Sequence, residues 1–331
     1  MKMIVNVRLV IFYLPVLLSL LFFSVFSEKS SAGPIELKAI GFLPPDNVSM
    51  IGLRSLRDKV NERAKGALTI RIVGGPEAIP AFDQPTALKN GVIDIGYGPD
   101  AYFMRFVPEA FALSLTRYNA AQERERGLVT FLQSKYIKAN THYLGRGGGT
   151  VGFYIGTVKR VDTVEGLKGL KLPPAPIATP AFKSLQMVSV EMEDAEIWTA
   201  LDRGVIDGVI DPTTLIATFR WYERIHFLID HKFYNLHTAV NVNLDSWNKL
   251  PSDLQNLITD AMVDVEKEVT PFFAKEESDA HKKILDAGVK PVKFSPAEAN
   301  KFMNTVYGAF WGAAKGRMSE ESYNKLRELL Q

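Results

Sequence analysis

From residue 35 to residue 97 the chain switches twice between a period of two and a helical period. Ile35–Gly41 (IELKAIG) predicts a strand, stopped by Phe42-Leu43-Pro44-Pro45, because proline cannot continue a ladder. Asp46 or Asn47 then caps a helix to about Ala64, with Met50, Leu53, Leu56 and Val60 on its apolar face. Leu68–Val73 predicts a second strand, ending at Gly74-Gly75-Pro76. A helix capped by Asp83 stops at Asn90-Gly91, and Val92–Tyr97 is a third strand. This β-α-β-α-β order implies a parallel sheet. Ligands of such sheets sit beyond the carboxyl ends of the strands, here residues 42–44, 74–77 and 97–100.

The grammar recurs. TALKNGVIDIGY at residues 86–97 and TALDRGVIDGVI at 199–210 both read as helix, glycine stop and strand, about 110 residues apart. Two such units imply two lobes. Between them, residues 117–139 predict one helix and Val151–Ile155 a strand. Gly147-Gly148-Gly149 lacks the Gly-Lys-Ser/Thr ending of a phosphate cradle and reads as a turn or hinge. The second lobe continues with a GLKGLKL strand, a helix at 180–187, a short strand at 188–190, a helix at 193–203, a strand at 205–210 and a helix at 213–224. Thr238–Asn243 is a strand returning to the first lobe. Residues 251–290 predict a long helix that Pro271 kinks or divides, followed by helices at 296–314 and 319–330.

The N-terminus is a separate object. Lys2 and Arg8 precede an apolar run from Leu9 to Phe26, and Ser30-Ser31-Ala32 supplies small residues for cleavage. That pattern predicts a signal peptide over residues 1–32, a mature chain from Gly33 and a periplasmic location. Residues 1–32 hold three basic residues and one acidic one, so the full chain's +2 falls to neutral without them. A neutral chain has no basic footprint for nucleic acid. With no cysteine, disulfides, thiolate metal sites and a lipoprotein anchor are excluded.

GLKGLKL, the ALxxGVIDG block and NVNLDSWNKLPSDLQNLI together resemble the periplasmic solute-binding proteins of tripartite ATP-independent (TRAP) transporters, of the dicarboxylate-binding type, from about Ile35 to about Ala314. The resemblance implies a two-lobe α/β binding protein with a cleft between the lobes and long C-terminal helices. Lobe I would comprise residues 33–151 and about 240–290, and lobe II residues 152–239 and about 291–331. It implies a monomer that captures a small organic molecule and passes it to TRAP-type permease subunits driven by an ion gradient, with no cofactor, no metal and no catalysis. A ligand-sensing subunit for a membrane receptor and a secreted α/β hydrolase are the alternative readings.

The five histidines have no metal-ligand spacing, and no GxSxG or HExxH occurs. Asp94 and Asp207 occupy the same place in the two units, which favours a duplicated structural role over catalysis. Glu196 reads as a helix cap before it reads as a ligand contact. The expected ligand contacts are Phe42, Glu77, Tyr97, Asp100, Tyr154, Pro173 and Asp211. The resemblance makes the last of these informative. Relatives commonly follow GLK with an arginine that pairs with a ligand carboxylate, and this chain has Leu172-Pro173. A second basic anchor often follows the Gly-Phe that opens lobe II, where Tyr154 stands here, and Asp211 replaces an amide. A buried organic acid without a cation carries a desolvation cost of several kcal/mol. The expected ligand is therefore neutral, aromatic or cationic, unless Arg146 or Arg220 supplies the anchor.

Overall fold

The computed structural model describes residues 33–173 and 176–331, so the signal-peptide expectation lies outside the described residues. The strands are β1 (Ile35–Gly41), β2 (Leu68–Gly74), β3 (Ile95–Pro99), β4 (Thr141–Arg146), β5 (Gly152–Thr157), β6 (Lys171–Leu172), β7 (Val188–Ser189), β8 (Gly208–Pro212), β9 (Phe227–Asn235), β10 (Thr238–Asn243) and β11 (Lys290–Val292). The α-helices are α1 (Ile51–Arg63), α2 (Gln84–Lys89), α3 (Ala120–Glu125), α4 (Leu128–Tyr136), α5 (Thr179–Ser184), α6 (Asp194–Asp202), α7 (Thr213–Thr218), α8 (Leu244–Asn248), α9 (Ser252–Asp286), α10 (Pro296–Lys315) and α11 (Glu320–Leu330).

Two main sheets form, one per expected lobe. The first has the order β2-β1-β3-β10-β4 and the second β11-β9-β5-β8, while β6 and β7 make a small parallel pair. The first sheet is mixed rather than parallel. β1 and β3 run together, but the returning β10 is antiparallel to both β3 and β4. The chain passes between the sheets through residues 147–151, from β4 to β5, through Leu236 and His237, from β9 to β10, and a third time through α8 and α9, from β10 to β11. The two short links are bonded to each other. Gly147 and Gly148 donate their N–H groups to the Thr238 carbonyl at 3.0 and 3.1 Å, and Leu236 donates to Val151 at 2.8 Å. The triple glycine is a close-packing requirement. A Cβ on Gly149 would fall 2.1 Å from the Cβ of Phe273, and one on Gly147 would fall 2.7 Å from the Tyr97 ring.

The duplicated unit repeats its aspartate-to-backbone clamp. In the first copy Asp94 donates its N–H to the Lys38 carbonyl at 2.9 Å and accepts the Lys38 N–H on Oδ2 at 2.8 Å. In the second, Asp207 does the same with Lys171, at 2.7 and 2.9 Å. The stops match as well, with Gly91 at φ +71° and Gly204 at φ +67°, a conformation glycine adopts without penalty. Each aspartate thus fastens a helix–turn to the neighbouring strand, which is the structural role expected from the repeat. It also shortens both strands: they begin at Ile95 and Gly208, after the aspartates rather than before them. Asp94→Ala and Asp207→Ala should each cost about 0.5–1.5 kcal/mol in urea unfolding, the worth of a backbone-directed hydrogen bond. A change in ligand affinity at unchanged stability would give the pair a functional role instead.

Elsewhere the elements are more broken than periodicity suggests. Residues 117–139 form α3, α4 and a 3-10 turn, interrupted at Gly127. The helix expected at 213–224 ends at Thr218, because Arg220 takes φ +58°. GLKGLKL contributes only two strand residues, after a 3-10 turn at Glu165–Leu167. In the opposite sense, α9 runs through Pro271 undivided for 35 residues, about 50 Å at 1.5 Å per residue. It packs on α1 before the proline, where Lys59 and Arg63 pair with Glu268 and Asp264, and on the second sheet after it, where Lys232 of β9 pairs with Glu277. Those contacts on both sides of the proline hold the helix together despite the one missing N–H. The 3-10 segment Pro108–Leu115 lies under the C-terminal helices, where Phe111 stacks on Phe310 at 4.3 Å. α11 closes over it, with Ser322 donating to Glu109 at 2.7 Å and Arg117 N–H donating to the Leu330 carbonyl.

Candidate functional site

The strand ends converge as expected, but the side chains there divide into braces and free groups. Phe42 and Tyr97 are braces. Both are buried, with ring centroids 5.9 Å apart. The Tyr97 hydroxyl lies 2.9 Å from the Ser49 carbonyl and 3.1 Å from that of Gly147, and burial pushes its ionisation up. Its polar atom is thus committed to the backbone at the inter-sheet link. Glu77 is exposed and turns back to accept the Gly75 N–H at 2.6 Å, closing the glycine turn after β2.

Asp100 is not a free counter-ion for a ligand. It is 1 % exposed, accepts the Tyr136 hydroxyl at 2.5 Å and sits 2.7 Å from His237 Nδ1. The reason is topological: β10 lies beside β3, so the residue after β3 faces the residue before β10. The alternative anchors are also committed. Arg146 is buried, donating to Glu123 at 2.7 Å, to the Tyr118 carbonyl at 3.0 Å and to the Gly149 carbonyl at 2.8 Å. Arg220 is exposed and paired with Glu223. Glu196 accepts the Glu193 N–H in a capping box at the start of α6, as expected of a cap.

Asp211 stands apart. β8 pairs with β5 so that Asp211 lies directly across from Tyr154, on the same sheet face. Asp211 is partly buried, and among the described residues its carboxylate meets no hydrogen-bond donor and no cation. Burial, then the nearby charge of Asp194 at the start of α6, holds it well above the usual carboxylate range. Asp194 is raised too, by burial and then Glu193. Tyr102, in the 3-10 turn that follows β3, is pushed up to about 12 by burial, Asp194 and Asp211. The turn after β3, the end of β8 and the start of α6 are therefore near enough for these groups to feel one another's charge. Phe82 covers the Tyr102 ring at 4.6 Å and is itself 60 % exposed.

Tyr154 keeps its place beside Asp211, but its ring leans on His281 of α9, 5.6 Å away edge-on. There it lines a surface cavity of about 410 Å³ with Glu277 and Ser278. Pro173 is buried at the end of β6 and brings no donor. Asp211 and Tyr154, both expected as ligand contacts, thus stand side by side, whereas Asp194, Tyr102 and Phe82 were not among the expected contacts. Asp194 carried a signal, since a carboxylate in the first turn of the helix preceding β8 must lie near the strand's end. Among the described residues no group of three or more His, Cys, Asp or Glu is placed to hold a metal ion. No described helix is long and apolar enough to cross a membrane.

Comparison with known proteins identifies the family and the fold. The family described as bacterial extracellular solute-binding protein, family 7 (DctP) matches residues 41–310. A monocarboxylate 2-oxoacid-binding periplasmic protein of Nostoc is 26% identical over 268 residues, which are 75% of this chain and 70% of that protein. Among solved structures, a TRAP periplasmic solute-binding protein from Ochrobactrum anthropi, its C-terminus bound in the ligand pocket, superposes with a TM-score of 0.79 at 18% identity, over 90% of this chain and 95% of that one. One from Desulfovibrio salexigens with bound orotic acid superposes at 0.77, also at 18% identity, over 89% and 97%.

Proposed function

The chain belongs to family 7 of the bacterial extracellular solute-binding proteins, the DctP type that serves TRAP transporters, and from that premise we propose that it captures a neutral, aromatic or amine-bearing small molecule rather than a simple dicarboxylate. The relatives above carry the names of acids in two cases, a 2-oxoacid and orotic acid. The observation that carries a different ligand class here is Asp211, a partly buried carboxylate with no cation among the described residues. Binding an acid beside an ionised Asp211 would set like charges together in a desolvated site, at several kcal/mol, and beside the protonated carboxyl it would still find no described cation to balance the acid. An ammonium group would instead supply the missing partner. The Phe82 and Tyr102 rings offer π faces, which suit an aromatic body or a cation.

In this reading Tyr102, Asp194, Asp211 and Tyr154 line the ligand side of the cleft, with Phe82 at its mouth and Pro173 closing it. Phe42, Tyr97, Glu77 and Asp100 support the walls. The protein is exported, its first 32 residues are removed, and it acts as a monomer that hands its ligand to a TRAP permease without chemical change. Native mass spectrometry of protein recovered from the periplasm tests this. A mature chain beginning at Gly33 with a neutral or basic small molecule bound is expected. A stoichiometric organic acid would overturn the ligand class, and a chain still beginning at Met1 would overturn the export step.

A further inference from the structure

A buried chain of charges lies where the two short inter-sheet links and the cleft turn meet. His237, 2 % exposed, occupies the two-residue link between β9 and β10. Its Nδ1 faces Asp100 Oδ2 at 2.7 Å and its Nε2 faces Glu123 Oε2 at 3.2 Å. Asp100 opens the 3-10 turn that carries Tyr102, and its own N–H donates to the His237 carbonyl at 3.0 Å. Glu123, from α3, takes Arg146 at 2.7 Å, and Arg146 reaches on to the Gly149 carbonyl in the other link. Tyr136 of α4 donates to the remaining oxygen of Asp100. Beyond these, the Arg124–Glu266 pair closes on the Arg146 N–H at 3.3 Å.

The chemistry of the ring decides its state. A neutral imidazole has one donor and one acceptor nitrogen, so it would present a lone pair to one of two carboxylates. Only the imidazolium donates to both. In that state Arg146 and His237 balance Asp100 and Glu123 with no net buried charge. The neighbouring carboxylates outweigh burial and hold His237 above the ordinary histidine range.

We propose that protonated His237 is a positioning residue for ligand capture: it locks the two short inter-sheet links to the turn bearing Tyr102, and so sets the resting angle of the cleft. Loss of the proton leaves a carboxylate facing a lone pair in a dry site, and the turn and the link come apart. The proposal rests on reading the links as a hinge between ligand-binding lobes. It does not rest on the ligand's identity, because the latch operates in the empty protein.

The chain has no cysteine, so spin labels can be placed at will. Val92→Cys and Val205→Cys use equivalent exposed positions of the two duplicated units. Pulsed electron spin resonance should give a narrow distance distribution at about pH 6 that broadens and shifts once the pH is high enough for ¹⁵N-imidazole spectra to show the ring neutral. In His237→Gln the distribution should be broad throughout and insensitive to pH. Where that variant does not fold, ¹⁵N-imidazole spectra of the unaltered protein give the same answer, showing a charged ring through neutral pH. A neutral ring at about pH 6, an unchanged distribution in the unaltered protein, or an equal pH response in His237→Gln would each overturn the latch.

Discussion

Arg146→Met should destabilise the protein by about 3–5 kcal/mol, the cost of stranding a buried charge by removing its partner. The arginine and Glu123 are 1 % and 2 % exposed in their side chains, so water cannot replace the lost contact. Methionine fills much of the volume, which confines the loss to charge and hydrogen bonds. Glu123 then keeps only His237 and the Thr116 hydroxyl, and the Tyr118 and Gly149 carbonyls lose their donor. The double variant Arg146→Met/Glu123→Gln should lose less than the sum of the two single changes, because the stranded charge is gone. Urea unfolding measures both. A single-variant loss below about 1 kcal/mol, the scale of an exposed pair, would show that the network is not the dry cluster described.

The pH dependence of this stability follows from the same groups. Arg146 and His237 hold Glu123 below the usual carboxylate range against its burial. Its contribution is therefore present above the unfolded-state value and is lost as pH falls through the lowered folded value. His237 is raised, so its contribution is complete below the unfolded-state value and is lost as pH rises through the raised folded value. The window between those limits is where the network is fully formed.

The parts of this protein legible in its sequence are those set by local rules. The helix–glycine–strand unit was readable because a φ above zero, a helical face and a strand each leave a short-range mark, and its repetition revealed two lobes. Asp94 and Asp207 could be assigned together because the same local geometry recurs around both. What was not legible is set by contacts between distant segments. Asp100 has the look of a ligand counter-ion at a strand end, and only the return of β10 beside β3 places His237 against it. Arg146 similarly looks like a spare anchor until Glu123 is brought to it. Tyr97 looks like a pocket aromatic until Gly147 passes over its hydroxyl. α9 survives Pro271 because tertiary packing on both flanks outweighs one missing hydrogen bond, a balance that periodicity does not record.

The ligand-side prediction with the largest effect falls on Asp211. For an amine-bearing ligand found in a thermal-shift screen, Asp211→Asn should weaken binding by ~1.5–3 kcal/mol, the scale of a charge-assisted hydrogen bond, or about one to two powers of ten in Kd. The direction with pH is fixed by the empty site. Burial and Asp194 hold the Asp211 carboxyl well above its usual range, favouring its protonated form. Pairing with an ammonium requires the carboxylate, so binding must expel that proton. Affinity should therefore rise as pH climbs through the raised carboxyl value and fall again only where the ligand's own amine deprotonates. Calorimetry in buffers of different ionisation enthalpy reads the released proton directly, and Asp211→Asn should abolish it. Succinate and sugar acids should bind the unaltered protein weakly, since they would meet Asp211 and Asp194 without a guanidinium among the described residues. Micromolar binding of succinate with no proton release would sink the assignment, because a cation outside the groups described here would then have to hold the acid.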